Sequence, residues 1–392
     1  MRNAGGLTKA HAARPTLLFL APGSWVHGKR ALKAALMAGF HTVFADFEDP
    51  QIHSNQAYEF IKLPTEPADM YTPSQAARRA RDGILSRKFE ELCRRVPADV
   101  VHVCWIDDRA ALCARASMQP LVLSCWGGDV DCWVEPDDAP HWRACVVEAL
   151  SSAALTIVDT PVMAEHCESL VGKSIRCEML HLGVDTERFR SGLAYERDVL
   201  RAKLGLRDDD VLLSSMRAMS PFYNHELILE SFAGSLPKLR KPAYLLFKAY
   251  NSRGNYLEVL QRKAQDLGIA KRVRFVAEIP ERELPSLYAA TDIVINFPPR
   301  DGFPVTLLEA GACERRVISC ALATYNGVVA DDNVTWVPPN DSSALAAAMI
   351  QVTNECRSGR MSFPKVRDSI VDGFSEIRYQ QRLATIYWNW IV

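Results

Sequence analysis

The segment Asp292-Ile293-Val294-Ile295-Asn296-Phe297-Pro298-Pro299-Arg300-Asp301-Gly302-Phe303-Pro304-Val305-Thr306-Leu307-Leu308-Glu309 carries residue types that could hold a phosphorylated ligand. An apolar strand ends near Asn296, a loop with prolines and a glycine follows, and a helix is expected to open with Pro304 as its first residue. The free amides at a helix start and the positive end of its dipole form an anion site. Val305 and Thr306 are therefore expected to offer backbone donors to a phosphate. Glu309 lies further on by about 7.5 Å along the axis, which matches the separation between a nucleotide's diphosphate and its ribose. Its neighbours Leu307, Leu308, Ala310 and Ala312 are apolar. A carboxylate buried among them is costly unless something hydrogen-bonds to it, and vicinal ribose hydroxyls would do so. The competing reading pairs Glu309 with Arg315 or Arg316, or lets it emerge on a solvated stripe.

The elements that must position these residues are short β-rich runs. One series covers residues 17–21, 42–45, 100–105, 121–125, 155–158 and 179–182; a second covers 211–215, 244–247, 273–276, 293–296, 317–320 and 334–337. Stretches with helical spacing lie between them, as in Leu257-Leu260-Ala264-Leu267. Strand alternating with helix predicts parallel sheets covered on both faces. Twelve strands exceed one comfortable open sheet, so the fold class is α/β with two Rossmann-like, doubly wound domains. The expected organisation is a flexible tail over 1–15, an N-terminal domain over 16–190, a C-terminal domain over 191–372 and a last helix over 373–392. The polar stretch 185–210 reads as the linker. Arg217 follows the run 211–215, at the carboxyl edge where ligands gather in such sheets; the alternative is a surface arginine at a strand end.

In the first domain Pro22-Gly23-Ser24-Trp25 follows the first strand, where Gly23 lets backbone approach a ligand closely or simply makes a turn. His27 is a candidate acceptor contact. Asp129 ends the fourth strand region, and Asp129-Val130-Asp131 matches a bare Asp-x-Asp, a tripeptide that elsewhere holds a metal on nucleotide diphosphates but arises often by chance.

Composition narrows the function classes. Lys and Arg number 46 against 47 Asp and Glu in 392 residues, so no global basic field attracts nucleic acid. No apolar run is long enough to span a membrane, and the first is too short for a signal-peptide core. The eleven cysteines include no Cys-x-x-Cys pair, which suits reduced, buried thiols in a cytoplasmic protein. The nine histidines are scattered among them without ligand spacing, so no metal is expected. Thr72-Pro73-Ser74-Gln75 forms a capping box for a basic helix over 73–96. That helix reads as a solvated face, or alternatively as a peripheral contact with anionic lipid at the inner face of a membrane.

The stretch from Asp301 to Ala310 resembles the family 4 glycosyltransferase motif, Glu-x7-Glu in a Glu-Gly-Phe setting, with Asp in the first position. Other segments fall in the family's order. His181-Leu182-Gly183-Val184-Asp185…Phe189 is similar to its interdomain turn, Met216-Arg217 to the end of its first C-terminal strand, Leu284-Pro285-Ser286-Leu287-Tyr288 to a later helix, and Cys125-Trp126-Gly127-Gly128-Asp129 to its Trp-Gly-Ser-Asp variant. The resemblance covers about residues 16–390. It implies a GT-B fold, with two Rossmann-like domains facing a central cleft and a C-terminal helix crossing back to the first. It also implies a retaining transfer from a nucleoside-diphosphate sugar, without metal or further cofactor, to a glycan, glycolipid or small-molecule acceptor in glycoconjugate biosynthesis. Glu309 would hold the ribose, Asp301 would sit by the donor sugar, and Gly302, Phe303, Pro304, Val305 and Thr306 would line sugar and diphosphate. Arg217 would neutralise the leaving diphosphate, Asp129 would join Asp301 and Arg217 in the catalytic set, and Trp126 and Gly127 would stand on the acceptor side with Gly23, Ser24 and His27.

The chain departs from that pattern where the family's usual lysine follows the arginine: Tyr223 and Asn224 stand there, with Asn224 a donor-side candidate. Lys248, at the edge after the run 244–247, could supply the missing charge. A nucleotide-sugar epimerase on the same fold, or a non-catalytic donor-binding or scaffold subunit, are the alternatives.

Overall fold

The computed structural model describes residues 14–23, 25–46, 58–63, 87–92, 94–130, 139–249, 254–276, 279–327, 331–356 and 363–390. The chain divides into two compact units. The N-terminal unit comprises Met1–Val158, Ala164–Leu180 and Gln380–Val392; the C-terminal unit comprises Asp159–Met163 and His181–Tyr379.

The N-terminal unit is built on a seven-stranded sheet of β1 (Thr16–Leu20), β2 (His41–Asp46), β3 (Glu59–Lys62), β4 (Val100–Cys104), β5 (Leu121–Ser124), β6 (Leu155–Val158) and β7 (Cys177–Met179), in the order β3-β2-β1-β4-β5-β6-β7. All neighbours pair in parallel, and β1, β4 and β5 are buried along nearly their whole length, as their apolar runs require. The strand expected at 179–182 lies upstream instead, with Cys177 opposite Thr156. Polar His102 sits in the middle of this core, fully buried. Its Nδ1 meets the Tyr387 hydroxyl at 2.6 Å and its Nε2 the Ser124 hydroxyl at 2.8 Å. Burial pushes its pKa down to about 3, so the ring is neutral. Tyr387 belongs to the helix Glu376–Trp388, which begins in the C-terminal unit and joins the N-terminal one from Gln380 onward. There the Trp388 indole donates to the Ala38 carbonyl at 3.0 Å.

The C-terminal unit carries six parallel strands, β8 (Val211–Ser215), β9 (Ala243–Lys248), β10 (Val273–Val276), β11 (Ile293–Asn296), β12 (Arg316–Cys320) and β13 (Val334–Val337), in the order β10-β9-β8-β11-β12-β13. The strand order reverses between β8 and β11, which opens a crevice at their carboxyl ends. The stretch 185–210 is more than a linker, because it contains the helix Ala194–Lys203. Arg201 of that helix is buried and donates to the Ala290 carbonyl at 3.1 Å and to Asp292 at 3.0 Å. Its two terminal nitrogens thus dock a helix that has almost no apolar face. Among the described residues no helix is long and apolar enough to cross a membrane.

Candidate functional site

At the β8/β11 reversal the loop after β8 delivers Arg217 and the loop after β11 delivers Asp301. The guanidinium straddles the carboxylate, with Nη1 at 3.0 Å from Oδ2 and Nη2 at 3.1 Å from Oδ1. The side chains are only 12% and 7% exposed, so this is a buried pair rather than a surface contact. Tyr325, in the turn after β12, donates its hydroxyl to Asp301 Oδ2 at 2.7 Å and accepts from Asn296 Nδ2 at 3.1 Å. The Thr324 hydroxyl donates to the Asp301 carbonyl at 2.8 Å. Burial alone would lower the Arg217 pKa, but Asp301 and the nearby tyrosines hold it above its ordinary value. Burial and Asp301 raise that of Tyr325, which therefore stays a donor. Tyr223 stands where a lysine was expected. Its ring lies under the guanidinium, 4.4 Å from Cζ to the centroid, and steers the arginine instead of adding a charge.

The loop after β11 turns into the helix Val305–Ala312, every residue of which is buried. Pro304 is the cap and not the first helical residue. Its ψ of 62° is not helical, while its carbonyl accepts from Leu307 and Leu308. The Val305 amide is occupied by the Phe303 carbonyl at 3.0 Å. The amides of Gly302, Phe303 and Thr306 donate to no acceptor among the described residues. The Phe303 ring is stacked on the His181 imidazole at 4.8 Å. Glu309, 6% exposed, accepts from the Tyr288 hydroxyl at 2.8 Å. It neither emerges into solvent nor pairs with the neighbouring arginines: Arg315 donates to the Cys313 and Thr291 carbonyls, and Arg316 meets Glu355.

Two further donor-side candidates stand differently. Lys248 ends β9, next to β8, and is half-buried at the carboxyl edge. Asn224, in the left-handed conformation with φ 54°, donates from Nδ2 to the Phe297 carbonyl at 3.2 Å and to Asn340 Oδ1 at 3.0 Å. Its amide nitrogen ties three loops together.

The N-terminal sheet reverses between β1 and β4, and the turns there carry the other candidates. The Gly23 amide donates to Asp46 Oδ2 at 2.6 Å, and buried Arg109 bridges Asp46 at 2.8 Å to Asp107. Gly28 presses on this turn so closely that a Cβ would overlap the Pro22 carbonyl oxygen and come within 2.8 Å of its carbon. Ser24 lies outside the described residues. Tryptophans following three adjacent strands meet here: Trp25 and Trp105 at 4.9 Å between centroids, Trp105 and Trp126 at 6.4 Å, with His27 5.9 Å from Trp126. Trp105 holds φ at +66°, a strained value for a bulky side chain, and Trp25 is 42% exposed. Gly127 follows Trp126 with φ +100°.

Asp129 is 0% exposed, with Oδ2 accepting from the Ile106 amide at 2.9 Å and Oδ1 from the Trp126 amide at 3.0 Å. It braces the loops after β4 and β5. Burial pushes its pKa up from 3.8 to about 7, against the pull of those amides. A carboxyl whose pKa is higher folded than unfolded holds its proton more firmly when folded. Its stabilising contribution is therefore full below about pH 4 and lost as pH rises toward about 7. The unfolding free energy of the wild type relative to Asp129→Asn is expected to fall across that window, read by urea titrations at successive pH values. A difference that ignores pH would show that Asp129 does not titrate there. Asp131 lies outside the described residues, as do the capping box and residues 73–86 and 93 of the basic helix. Residues 87–92 and 94–95 are helical, with Phe89 and Leu92 buried.

Tyr325, Tyr288 and Trp105 are the site residues that sequence reasoning passed over. Trp105 and Tyr325 follow strand ends, a signal that could have drawn attention; Tyr288 carries none.

Residues 196–361 match the family model for glycosyl transferases group 1. The GDP-mannose-dependent alpha-(1-6)-phosphatidylinositol monomannoside mannosyltransferase of Mycolicibacterium smegmatis is 35% identical over 190 residues, 46% of this chain and 48% of that protein. The D-inositol 3-phosphate glycosyltransferase 1 of Catenulispora acidiphila is 30% identical over 270 residues, 64% of each chain. The chain spans about half the length of the first of the curated relatives it matches. Among solved structures, Anabaena Alr3699/HepE in complex with UDP and glucose has a TM-score of 0.75 at 15% identity, covering 96% of this chain and 100% of that one. WaaG, a glycosyltransferase involved in lipopolysaccharide biosynthesis, has a TM-score of 0.73 at 16% identity, covering 95% and 99%. At such identities the likeness is one of fold, and it is the GT-B fold of two Rossmann-like units.

Proposed function

We propose that this chain, whose residues 196–361 match the family model for group 1 glycosyl transferases, moves a sugar from a nucleoside diphosphate to an acceptor hydroxyl with retention at the anomeric carbon. The observation that carries the reading is Glu309. It is a carboxylate buried in an apolar helix and held by Tyr288, downstream of a helix mouth whose Gly302, Phe303 and Thr306 amides donate to no acceptor among the described residues. In this scheme the amides and the helix dipole take the diphosphate, Glu309 takes the ribose hydroxyls, and Asp301 approaches the sugar. Arg217, with N–H groups beyond the two that grip Asp301, meets the charge that grows on the departing diphosphate. The acceptor hydroxyl attacks from the face the diphosphate leaves, and its proton passes to the leaving group, so no strong protein base is needed. Lys248 is a second candidate for the diphosphate charge.

The acceptor side falls to the carboxyl edge of the N-terminal sheet, around Gly23, His27, Trp126 and Gly127. Trp25 and Trp105 suit a sugar or cyclitol ring whose C–H face stacks on indole. The strain at Trp105 supports a functional placement, and the two relatives described above carry inositol in the names of their substrates.

The test is a thermal-shift comparison of GDP, UDP, GDP-mannose and UDP-glucose. A true ligand at 100 times its Kd stabilises the fold by about 2.7 kcal/mol. Label transfer from the stabilising donor to an acceptor then separates transfer from isomerisation. Stabilisation with neither transfer nor hydrolysis would make the chain a donor-binding subunit, and no stabilisation by any nucleotide would sink the reading.

A further inference from the structure

Two helices of the N-terminal unit bring three ligand-type side chains to one point. Asp108 opens the helix Asp108–Arg115, and His141 and Cys145 stand one turn apart on the helix Ala139–Ser152. His141 Nε2 lies 3.1 Å from Asp108 Oδ1, Cys145 Sγ lies 3.3 Å from the same oxygen, and Sγ to Nε2 is 3.7 Å. We propose that Asp108, His141 and Cys145 bind one Zn2+ ion that clips these two helices together.

The geometry is the main support. Zinc sits about 2.0 Å from nitrogen and oxygen and about 2.3 Å from sulfur, and at tetrahedral angles its ligand atoms are then about 3.3 Å apart for N and O and about 3.5 Å apart for either pair with S. The three separations found here match one face of that tetrahedron to within about 0.2 Å. The donor set agrees. Thiolate, imidazole and carboxylate are the ligands of a borderline-soft cation, and thiolate plus carboxylate cancel its two positive charges. Cys145 is buried, whereas Asp108 and His141 are 31% and 33% exposed, which leaves the fourth position on the solvent side for water. Burial and Asp108 push the Cys145 thiol up to about 12. Metal binding therefore displaces the thiol proton to solvent. Only the His141–Cys145 spacing of one helical turn hints at the site in the sequence, since Asp108 comes from another element.

The test uses the full chain, stripped with a chelator, kept reduced by a phosphine, and titrated with Co2+. The expected result is a thiolate-to-cobalt charge-transfer band in the near ultraviolet with strong visible bands of a four-coordinate site, saturating at one ion per chain and discharged by Zn2+. Cys145→Ser should abolish the charge-transfer band, and Asp108→Asn should weaken binding by about tenfold or more. Circular dichroism of each variant checks folding; should Cys145→Ser misfold, Asp108→Asn decides. A folded wild type that gives no band with one equivalent of Co2+ would mean a hydrogen-bonded trio only. A band that survives Cys145→Ser, or affinity unchanged in Asp108→Asn, would equally overturn the assignment.

Discussion

Arg217→Ala is expected to lose about 3–5 kcal/mol of stability, because removing one partner of a buried ion pair strands the other. The stranded group is Asp301, 7% exposed and gripped on both oxygens. Adding Asp301→Asn to the same chain removes the orphaned charge, so the double variant should be more stable than Arg217→Ala alone, an order that urea unfolding reads directly. Activity should not follow that order. Losing a preorganised donor at the site of developing charge costs about 10²–10³ in rate, and the double variant lacks it as well. Transfer is therefore expected to stay low in both. An Arg217→Ala protein as stable as the wild type, and within tenfold of its transfer rate, would show that the pair is neither buried nor functional.

Glu309→Gln separates folding from donor binding more cleanly. Glutamine keeps an oxygen for the Tyr288 hydroxyl, which now donates to Glu309 at 2.8 Å, and removes a buried charge, so stability should change by less than about 1 kcal/mol. Hydrogen bonds to a charged group contribute about 1.5–3 kcal/mol each. Weakening two of them to the ribose by a total of about 3 kcal/mol is a loss of about 10² in affinity. Calorimetric titration with the nucleoside diphosphate that stabilises the wild type reads this without requiring turnover. Unchanged affinity in a folded Glu309→Gln protein would remove the ribose from this carboxylate.

Much of the architecture is legible in the chain because strands buried on both faces are mostly apolar, and β1, β4, β8 and β11 are, despite His102 in β4, Ser214-Ser215 in β8 and Asn296 in β11. β3 escaped notice because Glu59-Phe60-Ile61-Lys62 is an edge strand with charged ends and no apolar run. The helix Ala194–Lys203 escaped because Arg201, bonded to Ala290 and Asp292, replaces an apolar face. At the site, Asp301 to Glu309 was readable from turn, helix start and carboxylate, all local signals. The grip of Arg217 on Asp301 joins positions 84 apart and exists because β8 and β11 are neighbours, which no local pattern encodes. Asp129 shows the converse limit: its residue type suits chemistry, yet its oxygens hold two backbone amides.

The bond between His102 and Tyr387 spans 285 positions. During translation all seven strands of the first sheet emerge long before Tyr387 does, and domains ordinarily fold in the order they are made. Here the half born first waits for one of the two partners of its central imidazole, while the half born second already has nearly everything it needs. Birth order and completion order are reversed: the sheet made first is the one whose last buried contact arrives with the final helix.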